Sequence, residues 1–132
     1  MRVLWCWRCK MEIPMLDDDE WAIVQEARRL SRDNPAAADA LLEQERLRRG
    51  LPPIPSVPES GSAIYRTLDS LTKGYALFTG MVETVPAAVW HHVASLYGPS
   101  CEHCGKPLRT PRAKWCPACG GWRSSAPADA PG

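Results

Sequence analysis

The six cysteines constrain this chain more than any other feature, because all of them fall into Cys-x-x-Cys pairs: Cys6 and Cys9, Cys101 and Cys104, Cys116 and Cys119. Two intervening residues let both sulfurs face one point while neighbouring backbone amides bond them. Gly105 and Gly120 follow the second and third pairs, and glycine readily takes the left-handed turn needed behind the second sulfur. Cys101, Cys104, Cys116 and Cys119 thus provide the donor set and spacing of a tetrahedral four-cysteine zinc site. His103 lies inside the first of these pairs, but four thiolates already complete the sphere, so it is excluded as a ligand. Iron accepts the same four sulfurs; the short basic spacer and the helical character of the rest of the chain favour zinc.

The stretch from Gly98 to Trp122, with its knuckles Cys101-Glu-His-Cys104-Gly105-Lys106 and Cys116-Pro-Ala-Cys119-Gly120-Gly121, resembles the zinc-ribbon (rubredoxin-knuckle) superfamily. The whole chain is similar to small bacterial zinc-ribbon proteins. The resemblance implies two knuckles on β-hairpins clamping one zinc, in a structural site with no open coordination position. It also implies a binding role toward nucleic acid or protein, without choosing between them.

Cys6 and Cys9 supply only half of a tetrahedral site, and three readings stand. Trp5-Cys6-Trp7-Arg8-Cys9-Lys10 resembles the thioredoxin Trp-Cys-x-x-Cys-Lys motif, yet the strand and helix that activate such a thiol have no counterpart around it. The pair could instead be a second knuckle completed by His91 or His92; adjacent residues of an α-helix diverge by about 100°, so one histidine at most is expected to reach it. Alternatively, the two terminal modules exchange cysteines within a chain or across a dimer. One zinc ion is therefore expected and two are possible.

Between the cysteine modules the pattern is helical. Val3 to Cys9 reads as a strand that turns at its cysteine pair, with Met11 to Leu16 returning as its partner. Asp17 to Glu20 place negative charge where a helix begins, followed by Trp21, Val24, Ala27 and Leu30 at helical spacing, which predicts a helix from about Asp18 to Arg32. Asp33 or Asn34 caps a second, with Pro35 in its first turn and Gly50 at its stop. Prolines 52, 53, 55 and 58 make residues 51–61 an extended connector. Ile64, Leu68, Leu71, Tyr75 and Phe78 mark a third helix, with Gly74 a weak interior point and Gly80 its end. Thr84 and Pro86 open a fourth, with Val89, Trp90, Val93 and Leu96 as its buried stripe before Gly98-Pro99.

The fold class is accordingly α+β: a hairpin knuckle over residues 1–16, a body of about four helices over 17–97, a zinc ribbon over 98–122 and a disordered tail over 123–132. No apolar run approaches the roughly 20 residues of a membrane span, and the N-terminal residues lack a secretory signal, so a cytoplasmic protein is expected.

Charge is uneven. From Cys101 to Arg123, five basic residues face Glu102 alone, a net +4 in a chain whose total is +1. Lys106, Arg109, Arg112 and Lys114 could line one hairpin for nucleic acid, with Trp115 available to stack. Trp115 and Trp122 would otherwise cover the small ribbon core, or act as interface anchors if exposed. No nucleophile stands beside a base, and the acidic run reads as a helix start. The expected function is a non-enzymatic, zinc-binding adaptor that binds a protein partner, with nucleic-acid binding the alternative and thiol redox chemistry a third.

Overall fold

A computed structural model describes residues 2–59 and 66–124. The chain opens with an antiparallel hairpin, β1 (Arg2–Cys6) and β2 (Met11–Met15), in the register Cys6 opposite Met11 and Arg2 opposite Met15. Three α-helices follow: α1 (Asp18–Ser31), α2 (Pro35–Arg49) and α3 (Asp69–Thr79), the last preceded by a 3-10 turn over Arg66–Leu68. Together these elements form the α+β fold expected from the sequence.

Local chemistry explains the helix bounds. Asp17 and Glu20 form a reciprocal capping box on α1, the Asp17 carboxylate accepting from the Glu20 amide and the Glu20 carboxylate from the Asp17 amide, both at 2.8 Å. Asn34, of the two capping candidates, accepts from the Ala37 amide at 3.1 Å with Pro35 directly behind it. Gly50 ends α2 and Gly80 ends α3, both with positive φ. Only Ala38 and Leu42 of α2 are buried, so its outer face is carried by Glu43 to Arg46 and Glu45 to Arg48 and Arg49 ion pairs. Residues 51–59 of the connector have no regular structure; its last two positions, like Ile64 of the expected third helix, lie outside the described residues.

The fourth helical segment differs from expectation. It is two short 3-10 helices, Pro86–His91 and Ala94–Leu96, and not one α-helix. The break has a physical cause: Leu16, just past β2, donates its amide to the His92 carbonyl at 2.9 Å and accepts from the Ala94 amide at 2.9 Å. This parallel bridge between Leu16 and Val93 takes the backbone groups an α-helix would need, and Val93 is extended. The anticipated stripe is split with it: Val89 and Val93 are buried, whereas Trp90 and Leu96 reach solvent.

The core unites all these elements. Cys6, Ile13, Met15 and Leu16 from the hairpin side meet Val24 and Ala27 of α1, Leu42 of α2, Leu71 and Tyr75 of α3, and Val89. Where α1 crosses α3, a Cβ built on Gly74 would stand 2.7 Å from a Val24 methyl, so the residue that weakens α3 intrinsically is required by close approach. The two first residues assigned to the tail, Arg123 and Ser124, are instead tied to the ribbon: Arg123 donates its amide to Lys114 and a guanidinium nitrogen to Pro111, and Ser124 donates to Glu102. Residues 125–132 are outside the described set.

Gly74→Ala should lower unfolding stability by about 1 kcal/mol. Overpacking of about 1–3 kcal/mol outweighs the roughly 1 kcal/mol gained in helix propensity. Urea titration should show part of that loss recovered when Val24→Ala is added in the same chain.

Candidate metal centres

Three knuckles share one construction. In each, the residue after the second cysteine donates its amide to the carbonyl of the first: Lys10 to Cys6 at 2.7 Å, Gly105 to Cys101 at 2.9 Å and Gly120 to Cys116 at 2.8 Å. All three donors have positive φ, 56° at Lys10, 82° at Gly105 and 75° at Gly120. Lys10 is the only non-glycine residue among the described ones in that region, so the N-terminal pair is bent as a metal knuckle despite lacking its glycine. Backbone amides also approach the sulfurs at 3.4 Å, from Cys9 to Cys6, His103 to Cys101 and Gly121 to Cys119.

The ribbon brings Cys101, Cys104, Cys116 and Cys119 together, with all four sulfurs within 4.8 Å of one another. The separations Cys101 to Cys119, 3.7 Å, and Cys104 to Cys116, 3.6 Å, are close to the roughly 3.8 Å edge of a tetrahedron with sulfur about 2.3 Å from its centre. They are far longer than a disulfide bond, and all six cysteines are free. The backbone amides of His103 and then Cys104 pull the Cys101 thiol down to about 6, whereas Cys119, despite the Gly121 amide, is pushed up to about 11 by burial and the neighbouring thiols, so the four sulfurs titrate as one set. His103 itself is exposed and turned to the Trp122 carbonyl, 3.1 Å from its Nε2. Each knuckle is closed by a single bridge, Ser100 with Pro107 and Trp115 with Trp122.

At the other end, Cys6, Cys9, His91 and His92 form a second four-donor set within the same 4.8 Å limit. His91 Nδ1 lies 3.5 Å from the Cys6 sulfur, and His92 Nε2 lies 3.2 Å from that of Cys9. Both histidines are brought to the pair, whereas an α-helix would have allowed one. The difference follows from the broken helix: His91 ends a 3-10 turn, and His92 leaves it with φ −104° and ψ 43°, so the two rings converge, 4.9 Å apart and nearly perpendicular. Burial, then the adjacent His91, lowers His92 to about 4; burial, then Arg8, lowers His91. Both imidazoles are thus held neutral, as metal ligands must be. His92 Nδ1 is buried without a partner, leaving Nε2 as the nitrogen that faces the sulfurs.

The surroundings of this set include groups that sequence reasoning missed. Tyr97 donates its hydroxyl to the His91 carbonyl at 2.6 Å and stands 3.5 Å from the Cys6 sulfur, while Tyr75 packs on the His92 ring. No local pattern links Tyr97 to a cysteine 91 positions away. The pair does not resemble a thioredoxin site in geometry: Cys6 ends a strand, Cys9 lies in the hairpin turn, and no helix begins there. Burial, followed by the Cys6 thiol, pushes Cys9 up to about 11, so it is no activated redox thiol, and a metal bound there would have to displace its proton.

The end modules dock without exchanging ligands. Trp7, between the cysteines of the first knuckle, donates its indole N–H to the Pro107 carbonyl at 3.0 Å and packs on Cys101, Leu108 and Cys116. Lys106 is spent on the Trp5 ring, its Nζ 3.9 Å from the centroid, so it does not stand with Arg109, Arg112 and Lys114 on the ribbon surface. Trp115 and Trp122 are also exposed, at 45% and 68%, and do not cover the ribbon core. No helix among the described residues is long and apolar enough to cross a membrane.

Comparison of the chain with protein-family models, with curated proteins and with solved structures finds no match. The site's own geometry therefore carries the functional argument: two separate sets of four soft or borderline donors, one of four thiols and one of two thiols with two imidazoles.

His91→Ala and His92→Ala should each reduce metal content by one ion per chain, measured by native mass spectrometry, while the ribbon ion stays bound. Retention of the second ion by either single variant would show that three donors suffice.

Proposed function

We propose that the protein is a non-enzymatic, zinc-binding adaptor that carries two structural zinc ions and recruits a protein partner. The observation supporting it is that each donor set contains four protein ligands, which fills a tetrahedron and leaves no position for a substrate. Thiolate with imidazole, and thiolate alone, are the donor chemistries zinc prefers. Bound in both sets, zinc would cross-link the chain ends to a body whose core is small. A reducing compartment such as the cytoplasm keeps such thiols available.

Partner binding is supported by aromatic surface that the fold leaves uncovered, Trp90, Trp115 and Trp122, the residue type that anchors interfaces. A second reading, nucleic-acid binding, is favoured by Arg112 and Lys114 standing close in sequence to the exposed Trp115.

Purified without chelator, the chain should carry two ions whose mass is that of zinc, and Cys6→Ser or Cys101→Ser should each remove one. A protein captured by the loaded chain should survive nuclease and a high-salt wash. Capture lost to nuclease, or binding to oligonucleotide that falls steeply with salt, would favour the second reading.

A further inference from the structure

Two adjoining clefts, of about 410 and 430 Å³, share Arg8, His91 and Leu96 as walls. They make one groove that runs from Val85 and Trp90 on the helical body to Arg109 and Ala113 on the ribbon. We propose that this groove docks a short extended peptide segment that is acidic and carries apolar side chains. The proposal rests on the protein-binding reading above and names the chemistry of the partner.

Charge complementarity carries it. Among the described residues no aspartate or glutamate lines either cleft, and neither Arg8 nor Arg109 takes part in an ion pair. That contrasts with α2, where Arg46, Arg48 and Arg49 are each paired with a glutamate. Two guanidinium groups with no ion-pair partner among the described residues each present a planar fork suited to a carboxylate.

The apolar part is equally defined. Val85 and Leu96 are 56% and 49% exposed, and Trp90 is 38% exposed, a contiguous apolar surface of the kind that marks an interaction site. Trp90 is held in place by the edge of Trp21, 5.2 Å between centroids, and by the Arg28 guanidinium 5.1 Å over its ring. An aromatic anchor fixed before binding loses little entropy on docking.

The same contacts weigh against single-stranded nucleic acid here. Bases need free aromatic faces, yet one face of Trp90 lies under Arg28 and Trp7 is packed into the ribbon core. The aliphatic Val85, Ala88 and Leu96 that remain suit side chains of a peptide. His91, a member of the second donor set, forms a wall shared by both clefts.

The test is selection from a random peptide library displayed on phage against the zinc-loaded full chain, followed by anisotropy of the selected peptides. Enriched peptides should combine Asp or Glu with Leu, Ile, Phe or Trp. Arg8→Glu, Arg109→Glu and Leu96→Ser should each weaken them about tenfold or more, with both metal ions still bound. Enriched peptides that lack acids, or that bind the three variants as tightly as the parent chain, would overturn the groove and leave the protein-binding reading standing. Absence of any enriched peptide together with retention of oligothymidylate would overturn both. Self-association abolished by Arg109→Glu would assign the groove to a second copy of the chain, not to a peptide.

Discussion

Two backbone hydrogen bonds made by Leu16 hold the rest of the arrangement in place. They stitch the end of β2 to the His92 carbonyl and the Ala94 amide, which interrupts what would have been a helix and leaves both histidines facing the cysteine pair. Without that bridge the two imidazoles would diverge around a helix axis, and Cys6 and Cys9 would lack one of their two partners. The buried position of Leu16, at the meeting of hairpin and body, couples the bridge to the main core, so the geometry of the donor set is inherited from hydrophobic packing and not from local propensity.

The ribbon depends on that set in turn. Its own core consists of little more than Leu108 and two cysteines, too little apolar area to fold a segment of this size alone. Trp7 supplies the missing surface from the first knuckle, and the Trp5 to Lys106 contact clasps the joint from outside. Because Trp7 lies between Cys6 and Cys9, ordering of the first knuckle helps complete the second core. An ion bound at either set should therefore raise the affinity of the other by the reciprocity that governs any linked pair of sites.

Much of this was legible in the sequence, and the parts that were not have a common cause. Local signals named the hairpin, the first two helices with an acidic start at Asp17 to Glu20 and a cap at Asp33 or Asn34, the stops at Gly50 and Gly80, and the four ribbon cysteines, since each depends on residues within a few positions. The 3-10 conformation of residues 86–96 could not be read, because Leu16 imposes it from some 75 residues upstream. The same long-range pairing hid the second histidine. Gly74 looked like a defect until Val24 filled the space beside it, and Lys106 looked like part of a basic strip until Trp5 was found beneath it.

Closed metal centres and open surface are two sides of one design. Trp90, Trp115 and Trp122 stay exposed while the buried core draws on the hairpin, the helices and Val89. Coordination, if the two donor sets are filled, would fix three knuckles without apolar packing and leave exposed aromatic area available to a partner. The arginines differ by place: on α2, where helix stability has to come from the surface, they are paired with glutamates, while at the joint between body and ribbon, beside the two donor sets, Arg8 and Arg109 take part in no ion pair among the described residues. Were a metal to cross-link the knuckles, stability there would come from coordination, and charge and apolar area at the joint would be free for recognition.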